Sequence, residues 1–84
     1  MTIYNKVAEI VKELCGLEVF CMESEFQKDF GFDSLQMVML LMALEERFDI
    51  VLDESDMNPY DLVYVYQVVD MVKKYIKGDD DEEN

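Results

Sequence analysis

Eight apolar residues stand in succession at Met37-Val38-Met39-Leu40-Leu41-Met42-Ala43-Leu44. The run sits inside a segment with the marks of a helix over 34–48. Asp33 is a good N-cap, and Gln36 stands three residues later, the spacing of a capping box. The exit Glu45-Glu46 is followed by Arg47 and Phe48, which restore amphipathic character. A bilayer crossing needs about 20 apolar residues, so this run does not cross one. A helix that is apolar on every side must be covered on most sides, or must offer an apolar face to a partner.

Two further helices supply the cover. Ile3, Val7, Ile10, Val11 and Leu14 recur at intervals of three and four, which predicts a helix over 2–14. Thr2 can cap it and Gly16 can stop it. Val65, Val68, Val69, Val72 and Ile76 form a second stripe, which predicts a helix over 62–76 with Lys73, Lys74 and Lys77 suiting its C-terminal dipole and Gly78 ending it. Its β-branched residues make packing, not propensity, its support. Between these helices, 15–33 loses the period and reads as a long loop pinned by Phe20, Phe26, Phe30 and Phe32. Pro59 limits 54–60 to a short helical turn. The expected fold is all-α, a small bundle of three main helices plus one short helix. Residues 1–77 form the domain, and the acidic stretch 78–84 is expected to be a disordered tail.

Composition narrows the chemistry. With 84 residues the chain buries only about 60–65% of its unfolded surface, leaving little room for a deep catalytic cavity. It has no histidine, which removes the commonest general base and the commonest metal ligand. Cys15 and Cys21 match no usual zinc spacing, and both read as ordinary apolar or loop residues. No secretory signal opens the chain, so a cytoplasmic setting is expected. A net charge of −13 repels nucleic acid and anionic membranes. The same charge either steers basic protein surfaces towards the domain or merely keeps a Met-rich domain dissolved.

The segment Asp29-Phe30-Gly31-Phe32-Asp33-Ser34-Leu35 puts a serine at the first turn of the central helix. A phosphate on that hydroxyl would meet free backbone N–H groups and the positive end of the helix dipole. On local physics alone, such an Asp-Ser pair is more often a simple cap. The wider pattern says more. Phe26 through Leu35, then Leu41-Met42-Ala43-Leu44-Glu45-Glu46-Arg47-Phe48-Asp49, then Leu62 through Ile76, resembles the acyl carrier protein family over about residues 3–77.

The resemblance implies that Ser34, within the Asp33-Ser34-Leu35 motif, accepts 4′-phosphopantetheine from coenzyme A through a separate phosphopantetheinyl transferase. The arm's thiol then carries acyl groups as thioesters, and the protein acts as a monomeric carrier serving acyl-loading and biosynthetic enzymes with basic surfaces. It is no enzyme itself. Fatty acid, polyketide and related pathways all use such carriers. The resemblance also makes Val38, Met42, Leu44, Val65 and Val69 candidate lining for an acyl chain folded back between the helices. Read as residues, those five are simple core.

Departures from the family lie close to the serine. Gln36 and Met39 occupy positions that are acidic in much of the family, so Gln36, Met37, Met39, Glu45 and Glu46 are candidate partner contacts on a less acidic face. Met39 there would be an apolar, adaptable contact. The stretch from Asp49 to Leu62 is slightly longer than usual and holds Pro59 and Tyr60. Val63 and Tyr64 replace a threonine pair. These features point to a specialised carrier rather than a housekeeping one.

Other readings are weaker. No nucleophile and base stand together, and Ser34-Leu35 lacks the glycines of a nucleophile elbow. A calcium loop starting at Asp53 fails, with Asn58 where glycine is wanted and Tyr64 where the last glutamate belongs. An acidic adaptor without a prosthetic group, and a peptidyl or aminoacyl carrier, remain as alternatives.

Overall fold

The computed structural model describes residues 2–19 and 21–76. Helix α1 spans Ile3–Cys15, α2 Phe26–Phe30, α3 Ser34–Phe48 and α4 Val65–Tyr75, with two 3-10 turns at Glu54–Asp56 and Pro59–Asp61. Among the described residues there is no strand, only an isolated antiparallel bridge between Glu25 and Tyr64. The fold is a small all-α bundle. The predicted tail 78–84, Phe20 and Gly78 lie outside the described residues.

The long helices start and stop where local chemistry directs. Thr2 caps α1 by accepting the Asn5 N–H at 3.1 Å, and Gly16 closes it in the left-handed region at φ 80°. Glycine reaches that region without the Cβ clash other residues meet. Asp33 caps α3 by accepting the Gln36 N–H at 2.8 Å. Asp49 ends α3 at φ 56°, a conformation that aspartate tolerates better than most side chains.

Packing follows the stripes. Val7, Ile10 and Val11 of α1 meet Met37, Leu40, Leu41 and Leu44 of α3 and Val65, Val68, Val69, Met71 and Val72 of α4 in one core. Complete burial of a leucine such as Leu40 or Leu41 contributes about 1.5–3 kcal/mol. On the surface Arg47 of α3 reaches Glu9 of α1 at 3.6 Å and also pairs with Glu13.

Three expectations need correction. The 15–33 segment is not all loop: Phe26 and Phe30, four residues apart, turn one face of α2 inward, and Gly31 closes it at φ 70°. The short turn expected over 54–60 is two separate 3-10 turns, with Pro59 opening the second. The last helix begins at Val65, not Leu62, because 62–64 is extended and bonded elsewhere. Val63 gives its carbonyl to the Phe26 N–H at 3.0 Å, and Val65 and Tyr66 donate to the carbonyls of Ser24 and Met22 at 3.0 and 2.9 Å.

Candidate functional site

Ser34 is the first residue of α3, and it is exposed. Of the N–H groups opening this helix, Gln36's goes to the Asp33 carboxylate and Met37's to the Asp33 carbonyl at 3.0 Å. Those of Ser34 and Leu35 precede any intrahelical acceptor and have no partner among the described residues, so solvent or a phosphate can take them. The donor set therefore fits a phosphodiester on the Ser34 hydroxyl. Exposure also leaves room for a long substituent.

The approach to Ser34 is closely packed. Phe26, Phe30 and Phe32 are all buried and cluster with ring centroids 5.7–6.3 Å apart. The Phe32 N–H donates to the Phe26 carbonyl at 3.0 Å, so the segment folds back on itself just ahead of the serine. Phe26 in turn holds Val63. The entries of α3 and α4 are thus tied to one short stretch of chain.

Beyond Ser34, the apolar run divides into two faces. Met37, Leu40, Leu41 and Leu44 point into the core, while Leu35, Val38, Met39 and Met42 are exposed. The exposed four, spaced 3, 1 and 3 apart, make a single stripe that starts beside the serine. This sorts the candidate residues. Gln36 is half-buried, Met39 is exposed and Glu46 is exposed, so all three are accessible. Met37 is only 2% exposed and offers no surface to a partner. Glu45 is half-buried, and its carboxylate accepts the Leu52 N–H at 2.9 Å, which commits it to the following loop.

Of the five lining candidates, Leu44, Val65 and Val69 belong to the closed core, whereas Val38 and Met42 do not. At about 100° per residue, positions 38 and 42 rotate away from the face that 37, 41 and 44 press inward. Cys15 and Cys21 are free thiols. Among the described residues no group of His, Cys, Asp or Glu is placed to hold a metal ion, and no helix is long and apolar enough to cross a membrane.

Residues 5–72 match the family model described as the phosphopantetheine attachment site. The chain belongs to the acyl carrier protein family. An acyl carrier protein of Campylobacter lari is 38% identical over 79 residues, covering 92% of this chain and all of the relative. One of Clostridium acetobutylicum is 38% identical over 82 residues, 95% of this chain and 99% of the relative. The crystal structure of the acyl carrier protein of Thermotoga maritima superposes with a TM-score of 0.72 at 29% identity, over 90% of this chain and 88% of that one. A carrier of this family needs an exposed attachment residue and a scaffold, not a general base.

Two features of the site escaped the sequence reading. Gln67 accepts the N–H groups of Val63 and Tyr64 at 2.7 and 2.9 Å, which fixes the entry to α4. Its place three residues after the N-cap Tyr64 is the spacing that signals such a reach-back. The second is the stacking of Tyr64 on Tyr66. Alternating tyrosines across the junction between the extended 62–64 stretch and α4 gave no helical period to flag it.

Proposed function

We propose that Ser34 is the residue that carries 4′-phosphopantetheine, transferred from coenzyme A by a phosphopantetheinyl transferase, and that this chain presents acyl thioesters on that arm to partner enzymes. The observation that carries the reading is the exposed hydroxyl at the first turn of α3, beside the N–H groups of Ser34 and Leu35 that have no partner among the described residues, within a family match that spans it. When bound, the arm supplies a terminal thiol that forms the thioester. The protein's own part is to hold the attachment oxygen at a helix N-terminus, where the phosphodiester's negative charge is favoured.

In this reading the acid and base for acyl transfer come from the partners. The stripe Leu35, Val38, Met39 and Met42, with Gln36 and Glu46 at its borders, is the face those enzymes meet. With Met39 in place of a charge, contact there depends more on apolar fit than on ion pairing. Together with Val63 and Tyr64, this supports a dedicated pathway over a housekeeping one.

The test is a mass measurement. Purified protein incubated with coenzyme A and a broad-specificity phosphopantetheinyl transferase is expected to gain one phosphopantetheine, and Ser34→Ala to gain none. A folded protein left unmodified by several transferases, or a Ser34→Ala variant still modified, would overturn the assignment.

A further inference from the structure

Tyr64 and Tyr66 stack with ring centroids 5.2 Å apart and planes 11° from parallel. Tyr66 is 39% exposed and Val63 41%. With Tyr66 exposed and Tyr64 half-buried, the two flat rings form an aromatic ledge, partly open to solvent, at the entry to α4. Its backbone is well fixed: Gln67 holds the N–H groups of Val63 and Tyr64, and Met22, Ser24 and Phe26 bond the residues on either side.

The ledge lies at the end of the bundle that bears Ser34. Val63 is bonded to Phe26, Phe26 to Phe32, and Phe32 stands two residues before the serine. Even the longest path through those bonds spans roughly 20 Å between the Cα atoms of Val63 and Ser34. A group tethered to Ser34 meets a surface at this distance with a high effective concentration, so weak contacts become populated. The interior offers less. Leu44, Val65 and Val69 are at most 1% exposed, so a chain could enter there only by parting packed helices.

Building on the assignment of Ser34 as the attachment residue, we propose that the Tyr64–Tyr66 ledge is a resting site for the acyl group carried on the arm, and that it favours acyl groups with a flat, conjugated or aromatic portion over saturated ones. A conjugated thioester is electron-poor and planar. The faces of the tyrosine rings are electron-rich, and stacking rewards that match. A saturated chain gains only area. The ledge thereby selects cargo before any partner enzyme is met.

The experiment loads the full chain with cinnamoyl-, octanoyl- or unacylated pantetheine from the corresponding coenzyme A, verifies each by intact mass, and compares two-dimensional NMR spectra. Cinnamoyl cargo is expected to shift the ring resonances of Tyr64 and Tyr66 upfield, and octanoyl cargo to shift them less. Tyr66→Ala should remove most of the cinnamoyl effect, while Tyr66→Phe, which keeps the stack, should retain it. The proposal fails if cinnamoyl leaves these resonances unmoved, if octanoyl moves them equally, or if the shifts fall instead on Leu44, Val65 and Val69. Such results on a correctly loaded protein leave Ser34 standing. A protein that takes up no arm overturns both readings together.

Discussion

The two ends of the α3–α4 pair are held by different kinds of bond. At their N-termini, the 22–32 segment ties both helices through backbone groups: Met22, Ser24 and Phe26 to residues 63–66, and Phe26 to Phe32 just before Ser34. At their C-termini, the 45–56 segment does the same through side chains. Glu45 accepts from the Leu52 N–H; Tyr75 Oη accepts from the Asp53 N–H at 2.9 Å and donates to the Asp56 carboxylate, with Lys74 at 3.4 Å from it. The bonds of the N-terminal tie that join the two helices run between backbone groups, and its titratable groups, Asp29 on the Glu25 N–H at 2.7 Å and the Asp33 cap, each bond within their own stretch of chain. The C-terminal tie consists largely of groups that titrate. The consequence is that the bonds joining α3 to α4 at the end bearing Ser34 keep their partners when the charge state of the protein changes.

The division is broken most severely at Phe26. It is fully buried at the centre of the phenylalanine cluster and bonds to both Val63 and Phe32. Phe26→Ala is expected to cost about 3–5 kcal/mol in urea unfolding, from lost transfer energy and the cavity left behind. That is a large share of the total stability of a small domain. Transfer of phosphopantetheine to Ser34 should slow in this variant even under folding conditions, because the loop ahead of α3 loses its anchor. Unchanged stability would mean the cluster collapses around the gap.

A smaller effect is expected at Gln67, whose single oxygen satisfies two N–H groups at the start of α4. Gln67→Ala leaves both to solvent and should cost about 1 kcal/mol. Gln67→Glu keeps an acceptor oxygen and should recover most of that loss near neutral pH. If the two variants are equally destabilised, the amide's contact with the Asp61 carbonyl, and not the reach-back, is what matters.

How much of this could be read in advance depended on range. The bounds of α3, and the caps at Thr2, Gly16 and Asp33, follow from chemistry within four residues, and the structure places them where that chemistry points. The place of Ser34 at the first turn of α3 was legible for the same reason, whereas its role as the attachment residue rests on the wider family pattern and stays a proposal. The start of α4 was not: Leu62-Val63-Tyr64-Val65 suits helix or strand equally, and bonds to residues 22–26, some forty positions away, decide it. Helix α2 is too short to show a period, although Phe26, Phe30 and Gly31 carry its signal. The central run hid most. Eight consecutive apolar residues have no inward or outward side in sequence, so only packing against α1 and α4 could send Met37 in and Val38, Met39 and Met42 out. That is why Met37 fails as a surface contact while Met39 does not.

The smallest effect, and the one that best separates the two ends, is expected at Tyr75. Its hydrogen bond, more than the neighbouring Lys74 ammonium, holds the Asp56 carboxyl below the usual carboxylate range against an opposing push from slight burial. The same bond raises the Tyr75 phenol above its ordinary value. A depressed carboxylate contributes stability that is present above about pH 3.9 and lost as pH falls through the lowered value; a raised phenol contributes stability present below about pH 10 and lost as pH rises through the raised one. The difference in urea midpoint between the native protein and Tyr75→Phe should therefore be flat across neutral pH and shrink at both extremes. The corresponding difference for Gln67→Ala should not follow this curve, because an amide does not titrate. If the Tyr75→Phe difference stays constant down to about pH 2, Asp56 is not drawing its stabilisation from the tyrosine, and the C-terminal tie is no more charge-dependent than the backbone tie beside Ser34.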